Sequence, residues 1–187
     1  MTASRMNRAA RTFWDERPLS HRERILVDAA TRWLTPMLQK SGRPIYMLSL
    51  TCKQAQPNGQ GGVIWLTPEL LWEALEIYFR RIDKLVYKNA SRRFQKSIQR
   101  FVVLEGGRGT GKRLHVHMLV AVPPAQYMGQ LEFIRAMITT WRSSPCARKD
   151  RTGKRDVAWD FAPDLTIALA YVMKTGLDAV DWCCTNP

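Results

Sequence analysis

Between residues 98 and 122 two apolar stretches flank the run Gly106-Gly107-Arg108-Gly109-Thr110-Gly111. Glycine reaches the backbone angles that a tight reversal needs, so Ile98 to Glu105 and Leu114 to Val122 read as the two strands of an antiparallel hairpin. In the second strand Leu114, Val116, Met118 and Val120 alternate with His115 and His117. One face of the strand is therefore apolar and seeks a core, while both imidazoles project from the other. The rest of the chain has to build around that hairpin.

The flanking sequence supplies helices and strands in alternation. Ser20 followed by Glu23 forms a capping box, and Ile25, Ala29, Trp33 and Met37 recur at helical spacing, so the segment Ser20 to Gln39 is expected to be a helix. Ser41-Gly42-Arg43-Pro44 ends it. A strand is expected from Ile45 to Lys53, with Leu48, Leu50 and Cys52 on one face and Met47, Ser49 and Thr51 on the other. After a Gln/Pro/Asn/Gly loop and a short apolar run, Val63 to Leu66, Thr67 and Pro68 announce a helix. Its apolar stripe is Leu71, Ala74, Leu75, Tyr78, Ile82, Leu85 and Val86. Beyond the hairpin, Leu131, Ile134, Ile138 and Trp141 mark another helix, and a basic loop runs from Ser143 to Arg155. Val157 to Phe161 is a short strand. A last helix runs from about Pro163 to Thr175 and stops at Gly176. The expected fold is α+β: an antiparallel sheet with helices packed on one face. Residues 1–19 are expected to be a basic arm and residues 20–187 a single domain.

The run Gly106 to Lys112 has the spacing G-x-x-x-x-G-K of a phosphate-binding loop. That loop requires Ser or Thr after the lysine and a helix beyond it. Here Arg113 follows, and the chain enters a strand, so nucleotide hydrolysis is excluded and the run reads as a basic hairpin tip.

The chemistry points elsewhere. His115 and His117 share a face, and Glu105 ends the neighbouring strand, across the turn from them. Two imidazoles and one carboxylate can hold a divalent ion with positions left open; such mixed nitrogen and oxygen ligands suit Mn²⁺ or Mg²⁺ acting on a phosphate. Tyr171 and Lys174 are three residues apart on the last helix and so share a face. A tyrosine hydroxyl can attack a phosphodiester, and a nearby ammonium favours the phenolate and offsets charge in the transition state.

The strand Tyr46-Met47-Leu48-Ser49-Leu50-Thr51, then Glu105 with His115-Val116-His117, then Tyr171-x-x-Lys174, together resemble the three ordered motifs of the HUH endonucleases. The similarity is to the single-tyrosine rolling-circle replication initiators of plasmids and small DNA viruses, and it covers Ile45 to Gly176. It implies a ferredoxin-like or RRM-like sheet, a divalent ion and site-specific nicking and joining of single-stranded DNA. The tyrosine would attack the scissile phosphate, giving a 5′-phosphotyrosine and a free 3′-OH. Ser49 and Thr51 would then contact the DNA. A single-tyrosine transposase or relaxase shares the pattern, and a non-catalytic nucleic-acid-binding domain of similar fold is the alternative from another class.

Charge agrees with a polyanionic partner. Lys and Arg number 29 against 16 Asp and Glu, a formal net charge of +13. From Arg80 to Arg113 eleven basic residues stand against Asp83 and Glu105 alone. Arg92, Arg93, Lys96, Arg108, Lys112 and Arg113 are expected to track a single strand or an origin hairpin toward the site. A helicase would have to be supplied by the host or by another protein acting in trans. No stretch of 18 apolar residues offers a membrane span, and Met1 to Pro18 carries four arginines without the apolar centre of a secretory signal. Four cysteines without C-x-x-C spacing exclude a zinc ribbon and suit free thiols in a reducing compartment. The expected location is with DNA in a bacterial cytoplasm, or in the nucleus if the source is a eukaryotic virus.

Overall fold

The computed structural model describes residues 19–106, 113–148, 157–182 and 184–187. The arm as far as residue 18, Arg108 and Lys112, most of the expected basic loop and Cys183 lie outside the described residues.

Helix α1 (His21–Gln39) begins where the capping box predicts: the Glu23 backbone N–H donates to Ser20 Oγ (3.2 Å) and the Ser20 N–H to Glu23 Oε2 (2.7 Å). Its buried stripe is Val27, Thr31, Leu34 and Leu38. The stripe expected from the sequence is on the wrong side, with Ile25 52% and Trp33 54% exposed. Both stripes have helical period, and periodicity cannot say which one a neighbour will cover. Leu19, expected in the arm, is buried in the core, so the folded domain starts at or before it.

Four strands form an antiparallel sheet: β1 (Ile45–Thr51), β4 (Arg100–Glu105), β5 (His115–Ala121) and β6 (Val157–Phe161), in the spatial order β4-β5-β1-β6. The small strands β2 (Ala55–Pro57) and β3 (Val63–Trp65) pair with each other in a separate ribbon. Helix α2 (Pro68–Tyr87), capped by Thr67, and the short α3 (Asn89–Arg93) join that ribbon to β4, and α4 (Gln130–Arg142) connects β5 to β6. The large elements thus follow a β-α-β-β-α-β order with each crossover passing one strand, the connectivity of ferredoxin-like sheets. Helix α5 (Leu165–Val172) and a 3₁₀ turn (Leu177–Ala179) complete the described chain.

Both faces of the sheet carry helices, not one as the sequence suggested. Leu48, Leu50, Val102, Leu104, Val116, Met118 and Val120 pack with the buried stripes of α2 and α4. Ile45, Met47, Phe101, Val103, Leu119 and Ala121 pack with Val27, Leu34 and Leu38 of α1 and Leu165, Ala168, Leu169 and Val172 of α5. The α2 stripe holds except at Leu85, which is 51% exposed, and it is widened by Phe79, Asp83 and Tyr87, also buried. In α4, Phe133 and Met137 join Ile134 and Trp141 in the core, while Leu131 is exposed. The sheet is five to seven residues deep, and on the α1/α5 face it changes character along its length: apolar through Leu119 and Ala121, polar at Ser49, His115, His117 and Glu105. Helix α5 ends over that change. Among the described residues no helix is long and apolar enough to cross a membrane.

Candidate metal centre

The hairpin register pairs Glu105 with His115, and β1 pairs Ser49 with His117 and Thr51 with His115. Because side chains alternate along strands, these residues fall on one face at one end of the sheet. Helices on one face alone would have left the histidine face open, and it is not. His117 is 5% and Glu105 2% exposed, since the end of α5 and the turn beyond it roof them; His115 stays half-buried.

The side chains converge on a point. Glu105 Oε2 lies 3.2 Å from His117 Nε2 and 3.4 Å from His115 Nε2, and the two Nε2 atoms are 3.1 Å apart. Second partners aim both rings. His115 Nδ1 donates to the Arg113 carbonyl at 2.7 Å, which leaves a lone pair on Nε2 in the neutral ring; His117 Nδ1 lies 2.7 Å from Ser49 Oγ. Burial holds His117 below the ordinary histidine value, favouring the neutral imidazole that ligates metal. Burial alone would raise the Glu105 carboxyl, but the imidazoles and the Lys174 ammonium around it prevail and hold it well below the usual carboxylate range. It is ionised.

This donor set fits a divalent cation. One carboxylate oxygen and two imidazole nitrogens cluster within hydrogen-bond range of one another, and each can turn a lone pair to a shared cation once its proton is displaced. Ligand atoms ~2.1 Å from a shared ion and at right angles to each other stand about 3.0 Å apart, close to the separations seen. Glu105, His115 and His117 could therefore hold a divalent metal ion. Borderline nitrogen and hard oxygen ligands do not by themselves select which one.

Lys174 reaches the same point, with the Tyr171 ring alongside. The Tyr171 ring lies edge-on to His117 with centroids 5.6 Å apart. The chain leaves helical geometry after Val172, and the turn brings Lys174 Nζ 4.6 Å above the Tyr171 ring and 2.9 Å from Glu105 Oε2. Glu105, His115, His117, Tyr171 and Ser49 are thus assembled from β4, β5, α5 and β1, and Lys174 joins them from the turn after α5, not from the helix as expected.

Of the described basic residues expected to track DNA, Arg92, Arg93 and Lys96 do not assemble there. Arg92 and Arg93 lie in α3 and Lys96 in the loop before β4, at the far end of a strand whose six residues span roughly 17 Å. Lys96 donates to the Tyr127 hydroxyl at 2.8 Å. Arg100, counted in the basic run, is structural: it donates to Cys184 O (2.7 Å), pairs with Asp83 (3.3 Å) and stacks on Phe79 (4.3 Å). Arg113 is exposed beside the centre.

Two positioning residues escaped the sequence reading. Gln54 clamps the residue before His115 from both sides, its Oε1 accepting from Leu114 N–H (2.8 Å) and its Nε2 donating to Leu114 O (3.0 Å). Nothing in its local sequence announces a contact sixty residues away. Gly106 has φ +92°, and a Cβ there would stand 2.3 Å from the Arg113 carbonyl oxygen, the acceptor that aims His115. We expect Gly106→Ala to displace that carbonyl, to destabilise the fold by about 1–3 kcal/mol and to weaken Mn²⁺ binding about tenfold or more. Calorimetric titration with Mn²⁺ checks this; unchanged affinity would show that the His115–Arg113 bond does not tune the ligand.

No model of a known protein family, no curated protein and no solved structure matches the chain.

Proposed function

We propose that the chain is a metal-dependent nuclease of the HUH type, which nicks and rejoins single-stranded DNA through a 5′-phosphotyrosine and initiates rolling-circle replication. The observation that carries the reading is the convergence of Glu105, His115 and His117 with Tyr171 and Lys174. A tyrosine beside an ionised carboxylate and two imidazoles has no need of such company for packing alone. The conjunction also follows the order of the motifs along the chain.

A divalent ion held by Glu105, His115 and His117 would polarise the scissile phosphate and offset its charge. Tyr171 Oη forms the new bond to phosphorus as the bond to O3′ breaks. Its phenolic proton goes to solvent, and the departing O3′ takes up a proton to become the free hydroxyl. Lys174 stands between the tyrosine and the carboxylate, where its charge would offset the charge that develops on the phosphate in the transition state. Ser49 keeps His117 in orientation. The joining reaction runs the same steps backwards with a 3′-OH as nucleophile. The net charge of +13 suits a polyanionic substrate. A single-tyrosine transposase or relaxase would use the same residues. A helicase acting in trans and a place among cellular DNA belong to this proposal.

The test is incubation with a randomised pool of single-stranded oligonucleotides in Mn²⁺ or Mg²⁺. Cleaved strands and protein–DNA adducts that survive denaturant should appear with metal and vanish with EDTA. A pool left intact under both metals would refute the nuclease and favour a non-catalytic binding domain.

A further inference from the structure

Where the chain leaves β1 it passes an open hollow lined by Lys53, Gln54, Trp65, Arg113 and Arg148. The hollow adjoins the metal centre through the backbone. The Arg148 N–H donates to Thr51 O (3.1 Å), Gln54 grips Leu114, and the Arg113 carbonyl holds His115. Three cations line it, and no carboxylate does so among the described residues.

Trp65 is also a wall of a second hollow, of about 420 Å³, between the β2–β3 ribbon and α2. Ile64, Leu66, Leu70, Ile77 and Pro145 make most of that one apolar, with Gln56, Glu73, Arg81, Thr140 and Ser144 as polar groups at its wall. Its size is within the range of small-molecule sites, about 300–1,000 Å³. Trp65 is 58% exposed beside Val63 at 57% and Ile64 at 51%, so the ribbon presents a contiguous apolar patch and not a lone ring.

A planar ring with a largely apolar groove on one side and three cations on the other matches the two parts of a single-stranded nucleotide. Bases stack on aromatic faces and phosphates need positive charge. An apolar peptide would fill the groove but leave the cations unused. Resting on the nuclease reading of the centre, we infer that this double hollow grips the DNA strand next to the scissile phosphate. One base lies in the groove against Trp65, and the adjoining phosphates lie on Lys53, Arg113 and Arg148. The β2–β3 ribbon, which contributes nothing to the main sheet, then serves to present Trp65.

The assay is the anisotropy of a labelled single-stranded oligodeoxynucleotide in EDTA, so that no cleavage occurs, over a series of salt concentrations. Trp65→Ala should weaken binding at least about fivefold without changing the salt slope, and Trp65→Phe should recover most of the loss. Trp33→Ala, equally exposed but on α1, should bind like the wild type. Lys53→Gln and Arg148→Gln should each lower the slope of log K against log salt by about 0.7. Circular dichroism confirms that each variant is folded. Trp65→Ala binding as well as wild type, or Trp33→Ala being equally weakened, overturns the inference while leaving the nuclease reading intact. Wild-type protein with no affinity for single-stranded DNA overturns both.

Discussion

His117→Ala is expected to bind no Mn²⁺ at concentrations that saturate the wild type and to cut DNA at least about a thousandfold more slowly, the loss of several kcal/mol that a cation contributes at a phosphate. The imidazole is 5% exposed, bonded behind by Ser49 and faced in front by Glu105 and His115. Its removal leaves one nitrogen and one carboxylate, with Lys174 already on the latter at 2.9 Å. Because a buried side chain is lost, His117→Gln serves as the partner variant: it keeps most of the volume and a polar end but not the ligand geometry. Mn²⁺ titration and the rate of oligonucleotide cleavage are the measurements, with circular dichroism as the check on folding. Cleavage by His117→Gln at the wild-type rate would remove the imidazole from the mechanism.

Tyr171→Phe is expected to retain Mn²⁺ and DNA affinity and to form no covalent adduct at all. The substitution deletes one oxygen from a half-buried ring, so the edge contact with His117 and the packing on the α1/α5 core survive. The other described tyrosines are badly placed. Tyr78 is fully buried with its hydroxyl on Met137 O, Tyr46 sits among Trp159 and Phe161, and Tyr87 and Tyr127 pack on each other near Lys96. Burial also pushes the Tyr78 hydroxyl far above the ordinary tyrosine value, away from the reactive phenolate. Denaturing electrophoresis of the labelled product, followed by mapping of the modified peptide, tests this. A phenylalanine variant that is still labelled, or an adduct on another tyrosine, would discard the single-tyrosine mechanism.

Much of the centre is local enough to be legible in the chain. The alternation Leu114-His115-Val116-His117 assigns both imidazoles to one face whatever packs there, and the short glycine-rich separation along the chain makes Glu105 the natural neighbour of His115 in an antiparallel pair. The parity of β1 likewise sends Ser49 to that face while Leu48 and Leu50 enter the core. The caps at Ser20 and Thr67 are bonds spanning three residues, so the chain encodes them directly.

What needed the tertiary structure is what depends on a neighbour. Periodicity shows that α1 has apolar sides and not which of them α5 and the sheet will cover, so the stripe through Ile25 and Trp33 was a false lead. Alternation in β5 identifies a polar side at His115 and His117 but does not reveal that α5 roofs it, so a buried centre looked like an open one. A count of charges treats Arg100 and Arg113 alike, although one is bound to Asp83 and Cys184 O and the other is exposed beside the site. Residue types, strand parity and short-range bonds belong to the sequence, because they are decided within a few residues. The choice between two equivalent faces, the meeting of Lys174 with Glu105 and the grip of Gln54 on Leu114 belong to the fold, because each is made by a partner that chain spacing does not specify.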